Sequence, residues 1–128
     1  MVDGDTVRVR LGGRVEPVRV IGIDTPEPYR EGAPEPCSRE ASAAMRELVG
    51  GREVRLVADA EDRDRYDRLL RYVEVAGRDA GAELLRRGLA RPLRVEPNVA
   101  RAAGYDAIAG AARRARIGVW GPCRRSSG

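Results

Sequence analysis

Arg19-Val20-Ile21-Gly22-Ile23-Asp24-Thr25-Pro26-Glu27 decides how this chain is read, together with Asp3-Gly4-Asp5-Thr6 upstream. In the first stretch an alternating apolar segment (Val18, Val20) runs into Gly22 and then into acids, and Pro26 blocks any continuation as helix. Between the two stretches, residues 6–11 alternate: Val7, Val9 and Leu11 fall on one face, Arg8 and Arg10 on the other, as in a half-buried strand. Gly12-Gly13 reads as a hairpin turn and residues 14–21 as the returning strand. A hairpin lays its second strand beside its first, so Asp5 and Asp24 can both lie near its open end. Arg19 and Asp24 are an odd number of residues apart, which in a regular strand puts them on opposite faces. A bulge near Gly22 would bring them to one side.

Asp-Gly and Asp-Thr-Pro are also ordinary turn formers. Taken together, however, two carboxylates and a nearby Glu, in a chain without His, suit a hard cation that takes oxygen ligands, such as Ca²⁺.

Outward from this core, residues 28–37 are rich in Pro and Gly and read as a surface loop. Ser38 is placed to cap a helix over 39–49, with Ala41, Met45, Leu48 and Val49 inward and Gly50-Gly51 as its stop. Residues 52–58 read as a strand. Residues 59–68 are almost all charged, and Glu61, Asp62 and Arg63 read as a solvated loop. Residues 69–75 form another strand. Asp79 is placed to cap a helix over 80–87 ended by Gly88. The last helix is expected over 99–115, with Tyr105, Ile108, Ala112 and Ala115 on one face.

The 128 residues suit one domain with a modest core, built on Val, Leu, Ile and Ala because Phe is absent and Trp occurs once. No apolar run approaches the ~20 residues that span a bilayer. The formal charge of +4 is carried entirely by Arg against the acids, a mild bias toward polyanionic partners. No signal peptide is visible, since Met1 leads straight into the first motif.

Val2-Asp3-Gly4-Asp5-Thr6-Val7, then Val18 to Glu27, then Asp64-Arg65-Tyr66-Asp67-Arg68-Leu69-Leu70, and finally Gly118-Val119-Trp120, in this order and spacing, resemble the staphylococcal nuclease (thermonuclease) family. The resemblance runs from residue 2 to about residue 120. It implies a nuclease-like domain over 1–120 with a C-terminal tail at 121–128. The implied fold is α+β and mainly β: a five-stranded Greek-key barrel of the OB type with three helices. Family members carry further residues upstream that form most of the first strand, so the expectation here is a truncated first strand and unpaired neighbouring edges.

The implied activity is Ca²⁺-dependent hydrolysis of phosphodiester bonds in DNA or RNA, by a monomer that binds no membrane. Asp5 and Asp24 match the family's metal-binding carboxylates, and Thr25 the residue that lends a backbone carbonyl. Glu27 matches the residue that activates or orients the attacking water. An ordinary carboxylate is a weak base for water, so positioning is the firmer expectation. Arg19 and Arg68 match the guanidinium groups that grip the phosphate, a task suited to a planar fork that keeps its charge. Arg65 and Tyr66 match contacts to the flanking phosphate.

Two positions depart from the pattern. Asp67 stands where the family usually has Gly, and Leu93–Glu96 contains no aromatic where the family stacks tyrosines on bases. The expectation is either weaker substrate affinity or phosphate contacts from Arg91 and Arg94 in place of stacking. Cys37 lies in a Pro-rich loop and Cys123 in a polar tail. Two cysteines could be buried fillers. The extracellular habit of the family points instead to a disulfide between them, and to a secreted or cell-envelope protein. The alternative reading of the whole is a non-catalytic module of the same fold that binds nucleic acid or protein. Binding alone has no need of Asp5, Asp24, Glu27, Arg19 and Arg68 together.

Overall fold

The computed structural model describes residues 3–28 and 33–124. Its first element is the expected hairpin: β1 (Thr6–Leu11) pairs antiparallel with β2 (Arg14–Val20), with Leu11 opposite Arg14 across the Gly12-Gly13 turn. β2 does not continue through residue 21 into an unbroken pleat. It stops at Val20, Gly22 turns with φ 86°, and a separate two-residue strand β3 (Ile23–Asp24) follows. The expected bulge is thus a full break. Gly22 is required twice, by its positive φ and by the ring of Tyr105, which would lie 2.8 Å from any Cβ placed there.

After the loop come α1 (Ser38–Val49), β4 (Arg55–Arg63), β5 (Leu69–Val75), β6 (Arg78–Asp79), α2 (Ala80–Arg86), β7 (Arg91–Pro92), α3 (Ala102–Ala115) and a 3-10 turn at Gly118–Trp120. The main sheet is mixed. Its strand order is β1-β2-β5-β4, parallel between β2 and β5 and antiparallel elsewhere, with β6 on β5. β3 pairs with β7. The mixed sheet with three helices agrees with the α+β content expected from the sequence.

Several boundaries differ from the sequence expectation; β4, for one, begins at Arg55 rather than at residue 52. β4 runs on to Arg63, so Glu61, Asp62 and Arg63 are strand rather than solvated loop. Arg63 pairs with Glu16 at 2.8 Å and Asp62 with Arg71 at 2.6 Å, while Glu61 Oε1 accepts from Asn98 Nδ2 at 2.9 Å. The β4–β5 register shifts between Ala58 and Arg63, which takes amides out of the ladder. Buried Asn98 supplies the missing acceptor, its Oδ1 taking the N–H groups of Ala60 (3.1 Å) and Glu61 (2.9 Å). α3 begins at Ala102 rather than 99, and the N–H groups just ahead of it are satisfied by distant acceptors: Ala100 donates to Asp59 and Arg101 to the Tyr72 hydroxyl. α1 is not capped by the Ser38 side chain: Cys37 holds the N-cap position in a left-handed conformation without a side-chain cap bond, and Ser38 is buried inside the first turn. Asp79 caps α2 as expected, accepting from Ala82 N–H at 2.9 Å.

The core is formed by Val7, Val18, Val20, Ile23, Met45, Leu69, Val73, Leu84 and Leu85, joined by two tyrosines, Tyr72 and Tyr105, in an edge-to-face pair. Burial along β1 decays outward from the site end: Val7 is buried, Val9 partly so, and Leu11 is 51% exposed. These residues line a groove of about 1010 Å³ that runs between β1, the end of α1 and the start of β4. Beside α1, Cys37 and Cys123 form a disulfide, their Cα atoms 5.6 Å apart, within the reach such a bond allows.

Candidate active site

The open end of the hairpin, the β3 end and the β4–β5 turn converge on Asp5, 9% exposed. Asp3 and Thr6 form an antiparallel bridge across Gly4-Asp5. Gly4 lies so close to Thr25 that a Cβ would meet its side chain at 2.8 Å. Only a glycine lets this turn press against the end of β3. Asp5 Oδ2 then accepts both the backbone N–H and the hydroxyl of Thr25, each at 3.1 Å, and stands 3.5 Å from Arg19 Nη2. Arg19 Nη1 donates to the Val20 carbonyl at 2.6 Å. The Thr6 hydroxyl links Asp5 Oδ1 to Arg68 Nη1, at 3.4 Å from each. Asp5, Thr25, Arg19 and Arg68 therefore belong to one connected network.

Asp24 sits one residue before Thr25, at the end of β3 opposite Arg91 of β7. Glu27 is exposed beyond Pro26. Its backbone is bonded in both directions to Glu35: Glu27 N–H donates to Glu35 Oε1 and Glu35 N–H donates to the Glu27 carbonyl, each at 2.9 Å. Residues 29–32 of the adjoining loop lie outside the described residues.

Asp64 builds the β4–β5 turn. Its Oδ1 accepts the N–H groups of Tyr66 (2.9 Å) and Arg68 (3.0 Å), and its Oδ2 holds Arg68 Nε at 2.8 Å. Burial works against the Asp64 charge, but these bonds outweigh it and hold the carboxyl below its ordinary range. Asp67 occupies φ 63°, the left-handed region that Gly fills most easily and Asp tolerates. The guanidinium groups of Arg65 and Arg68 lie over the exposed ring of Tyr66, 4.9 and 5.3 Å from its centroid. At residues 93–96, Leu93 and Val95 are exposed. Arg94 pairs with Asp106 at 3.5 Å, and Arg91 lies over the Trp120 ring and donates to the Val119 carbonyl.

Sequence reasoning assigned no role to Asp3, Asp64 or Glu35. The first two lie within the motifs that were quoted. The signal for Asp64 was its spacing to Arg68 across a tight turn, and Glu35 carried none. Burial first, then the adjacent Asp5 and the charge of Glu27, push the Asp3 carboxyl up to about 6. Asp5 is held below the ordinary range: burial opposes its charge, but Arg19, Asp3 and the two Thr25 donors prevail. Acids crowded in this way are the environment a divalent cation relieves, so the donor set fits an oxygen-seeking ion held by Asp5 with its acidic neighbours. Among the described residues, the one tight cluster of three acid or thiol groups is elsewhere, at Cys37, Glu40 and Cys123, and its sulfurs are committed to the disulfide.

The model of the family described as "Staphylococcal nuclease homologue" matches residues 17–122. The chain is 38% identical over 122 residues to the SPbeta prophage-derived endonuclease YokF of Bacillus subtilis (strain 168), covering 93% of this chain and 41% of that protein. It is 36% identical over 99 residues to the thermonuclease of Staphylococcus hyicus, covering 77% and 59%. It is 41% identical over 100 residues to the endonuclease YncB of Bacillus subtilis (strain 168), covering 76% and 47%. The chain thus spans about half the length of these relatives.

Proposed function

We propose, from the premise that this chain belongs to the staphylococcal nuclease family, that it hydrolyses phosphodiester bonds of DNA or RNA with the help of a calcium ion. The observation that carries the reading is the network around Asp5. One buried carboxylate joins Thr25 and Arg19 directly and Arg68 through the Thr6 hydroxyl. A nucleic-acid binder needs exposed cations; it has no use for a buried acid that draws two of them to one point.

In this reading Asp5, Asp24 and the Thr25 carbonyl hold the ion, with Asp3 completing the acidic wall. When bound, the ion offsets negative charge that builds on the phosphate oxygens as the bond breaks. The protein's own groups do the rest. Arg19, anchored through Nη1 to the Val20 carbonyl, and Arg68, held at Nε by Asp64, present their remaining N–H groups to the phosphate. Neither arginine must be ordered on binding, because each is already fixed by a protein acceptor. Glu27, exposed on a pinned backbone, orients the attacking water. Arg65 and Tyr66 take the flanking phosphate. The arginines at 91 and 94 extend the basic track, in place of base stacking.

Closure of the sheet into a five-stranded barrel belongs to the same proposal, as do action as a monomer and life in an oxidising, extracytoplasmic compartment. The Cys37–Cys123 bond supports the last of these. Among the described residues no helix is long and apolar enough to cross a membrane. The deciding assay incubates the protein with plasmid DNA and with RNA, in Ca²⁺ or in chelator. Cleavage of either polymer that stops on chelation and returns with Ca²⁺ is expected. Binding without cleavage in Ca²⁺ would instead support the non-catalytic module.

A further inference from the structure

Two acids among the described residues are nine-tenths buried, Asp5 and Glu35. Asp5 centres the site. Glu35 has no part in the reaction outlined above, and a loop carboxylate is seldom buried without a bonding reason. One bonding partner is Glu27. Glu27 lies between Pro26 and Pro28, which have no N–H, so its own N–H is the single backbone donor of that tripeptide. That donor goes to Glu35 Oε1 at 2.9 Å, and Glu35 N–H returns a bond to the Glu27 carbonyl at 2.9 Å. The two bonds pin both peptide groups of one residue whose side chain is exposed. Glu35 is itself anchored from the other side. Its carbonyl accepts the Ser38 N–H at 3.1 Å in the first turn of α1, beside Cys37 and its disulfide.

We propose that Glu35 is a positioning residue for the reaction: its buried carboxylate fixes the Glu27 backbone, and so the place of the Glu27 carboxylate, against the frame of α1. The inference rests on the reading of Glu27 given above. A backbone clamp of this kind contributes to turnover and not to substrate affinity, because Glu27 orients water and does not grip nucleic acid.

The test compares kcat and KM on DNA in saturating Ca²⁺ for the wild type, Glu35→Ala, Glu35→Asp, Glu35→Gln, Glu27→Gln and the double variant Glu35→Ala/Glu27→Gln. Each is assayed well below its own Tm. Glu35→Ala should lower kcat by about 10- to 100-fold, the scale on which an ångström of misplacement acts, with KM nearly unchanged. Glu35→Gln keeps an acceptor at the same reach and should stay within a few-fold of wild type. Glu35→Asp keeps the charge but withdraws the acceptor by one methylene, and should fall with Ala. In the Glu27→Gln background the Ala substitution should change nothing further. Glu35→Asp matching wild type while Glu35→Gln falls would overturn the proposal in favour of a charge effect. An Ala effect that persists at full size beside Glu27→Gln would overturn it in favour of a general structural role. If Glu27→Gln alone keeps wild-type kcat, the role assigned to Glu27 is what fails, and the clamp loses its purpose with it.

Discussion

Glu27 and Arg68 differ in how they are held, and this sets what their replacement should do. The Glu27 side chain is exposed and its backbone is bonded to Glu35. Glu27→Gln should therefore leave the melting temperature within a degree or two and lower kcat by about 10²–10⁴-fold, the usual worth of a positioned acid or base. Activity within a few-fold of wild type would remove Glu27 from the mechanism. Arg68 depends on Asp64, whose carboxyl is held below the ordinary range by bonds from the Arg68 backbone and side chain. A depressed acid contributes stability that is present above its unfolded value, near ~4, and is lost as pH falls through the folded value. Asp64→Asn should therefore flatten the fall in melting temperature between neutral and strongly acidic pH, and should raise KM by loosening Arg68. A melting profile parallel to wild type would show that Asp64 is not among the groups that set acid stability. Asp67 was legible as a departure from the family pattern. Its reason became visible in the backbone, where φ 63° suits Gly. Asp67→Gly removes an exposed charge beside the phosphate track and should lower KM for nucleic acid. A raised KM would mean that the Asp67 side chain supports the turn.

At the scale of elements, the charged run after residue 58 is the case where pattern and structure part. A period-two reading finds no buried face in Asp59–Arg63, because the ladder shifts register there and the charges of Asp62 and Arg63 find ion partners on β5 and β2. What holds the irregular part of β4 is one distant side chain, Asn98, bonded to two amides of the strand and to Glu61 Oε1. Asn98→Ala leaves those donors without that acceptor and should cost about 1–3 kcal/mol, since two part-buried hydrogen bonds are lost at ~0.5–1.5 kcal/mol each. Urea unfolding measures this directly. A loss below ~0.5 kcal/mol, the size of an ordinary surface substitution, would mean that water replaces Asn98. Helix starts show the same dependence on distant groups. Asp79 caps its own helix and could be read from sequence. The Asp59 and Tyr72 acceptors at the head of α3 could not, because each lies far along the chain.

For the whole molecule, the disulfide closes a separation of 86 residues. The chain-entropy account values such a loop at about 4–5 kcal/mol, comparable with the total stability of a small domain. Replacing both cysteines by Ser, or reducing the bond, should lower the urea midpoint by that scale, with little change in the slope if the unfolded chain expands similarly. An unchanged midpoint would show that the Gly118–Cys123 turn is held by its own hydrogen bonds. Ca²⁺ should raise the melting temperature of the oxidised protein and chelator should reverse it, because an ion bound only by the folded state stabilises it by mass action. The Asp5→Asn variant should lose this response.

The hairpin over residues 6–20, a change of course near Gly22, the three helices and the family motif order could be read from the chain, while the roles of Arg19, Asp5 and Arg68 came with the family resemblance. The readable features depend on local alternation, turn chemistry and a motif order that covers most of the sequence. Tertiary structure alone decided what closes those pieces on one another. It set the approach of Gly4 to Thr25 and the Thr6 bridge from Asp5 to Arg68. It placed Asn98 behind a strand 37 residues away and Glu35 beneath Glu27. Each of these is a polar group whose partner is chosen by burial, not by neighbourhood. Periodicity reports which face a residue shows to the core, but a buried donor or acceptor must be satisfied by whatever the fold brings within hydrogen-bonding distance.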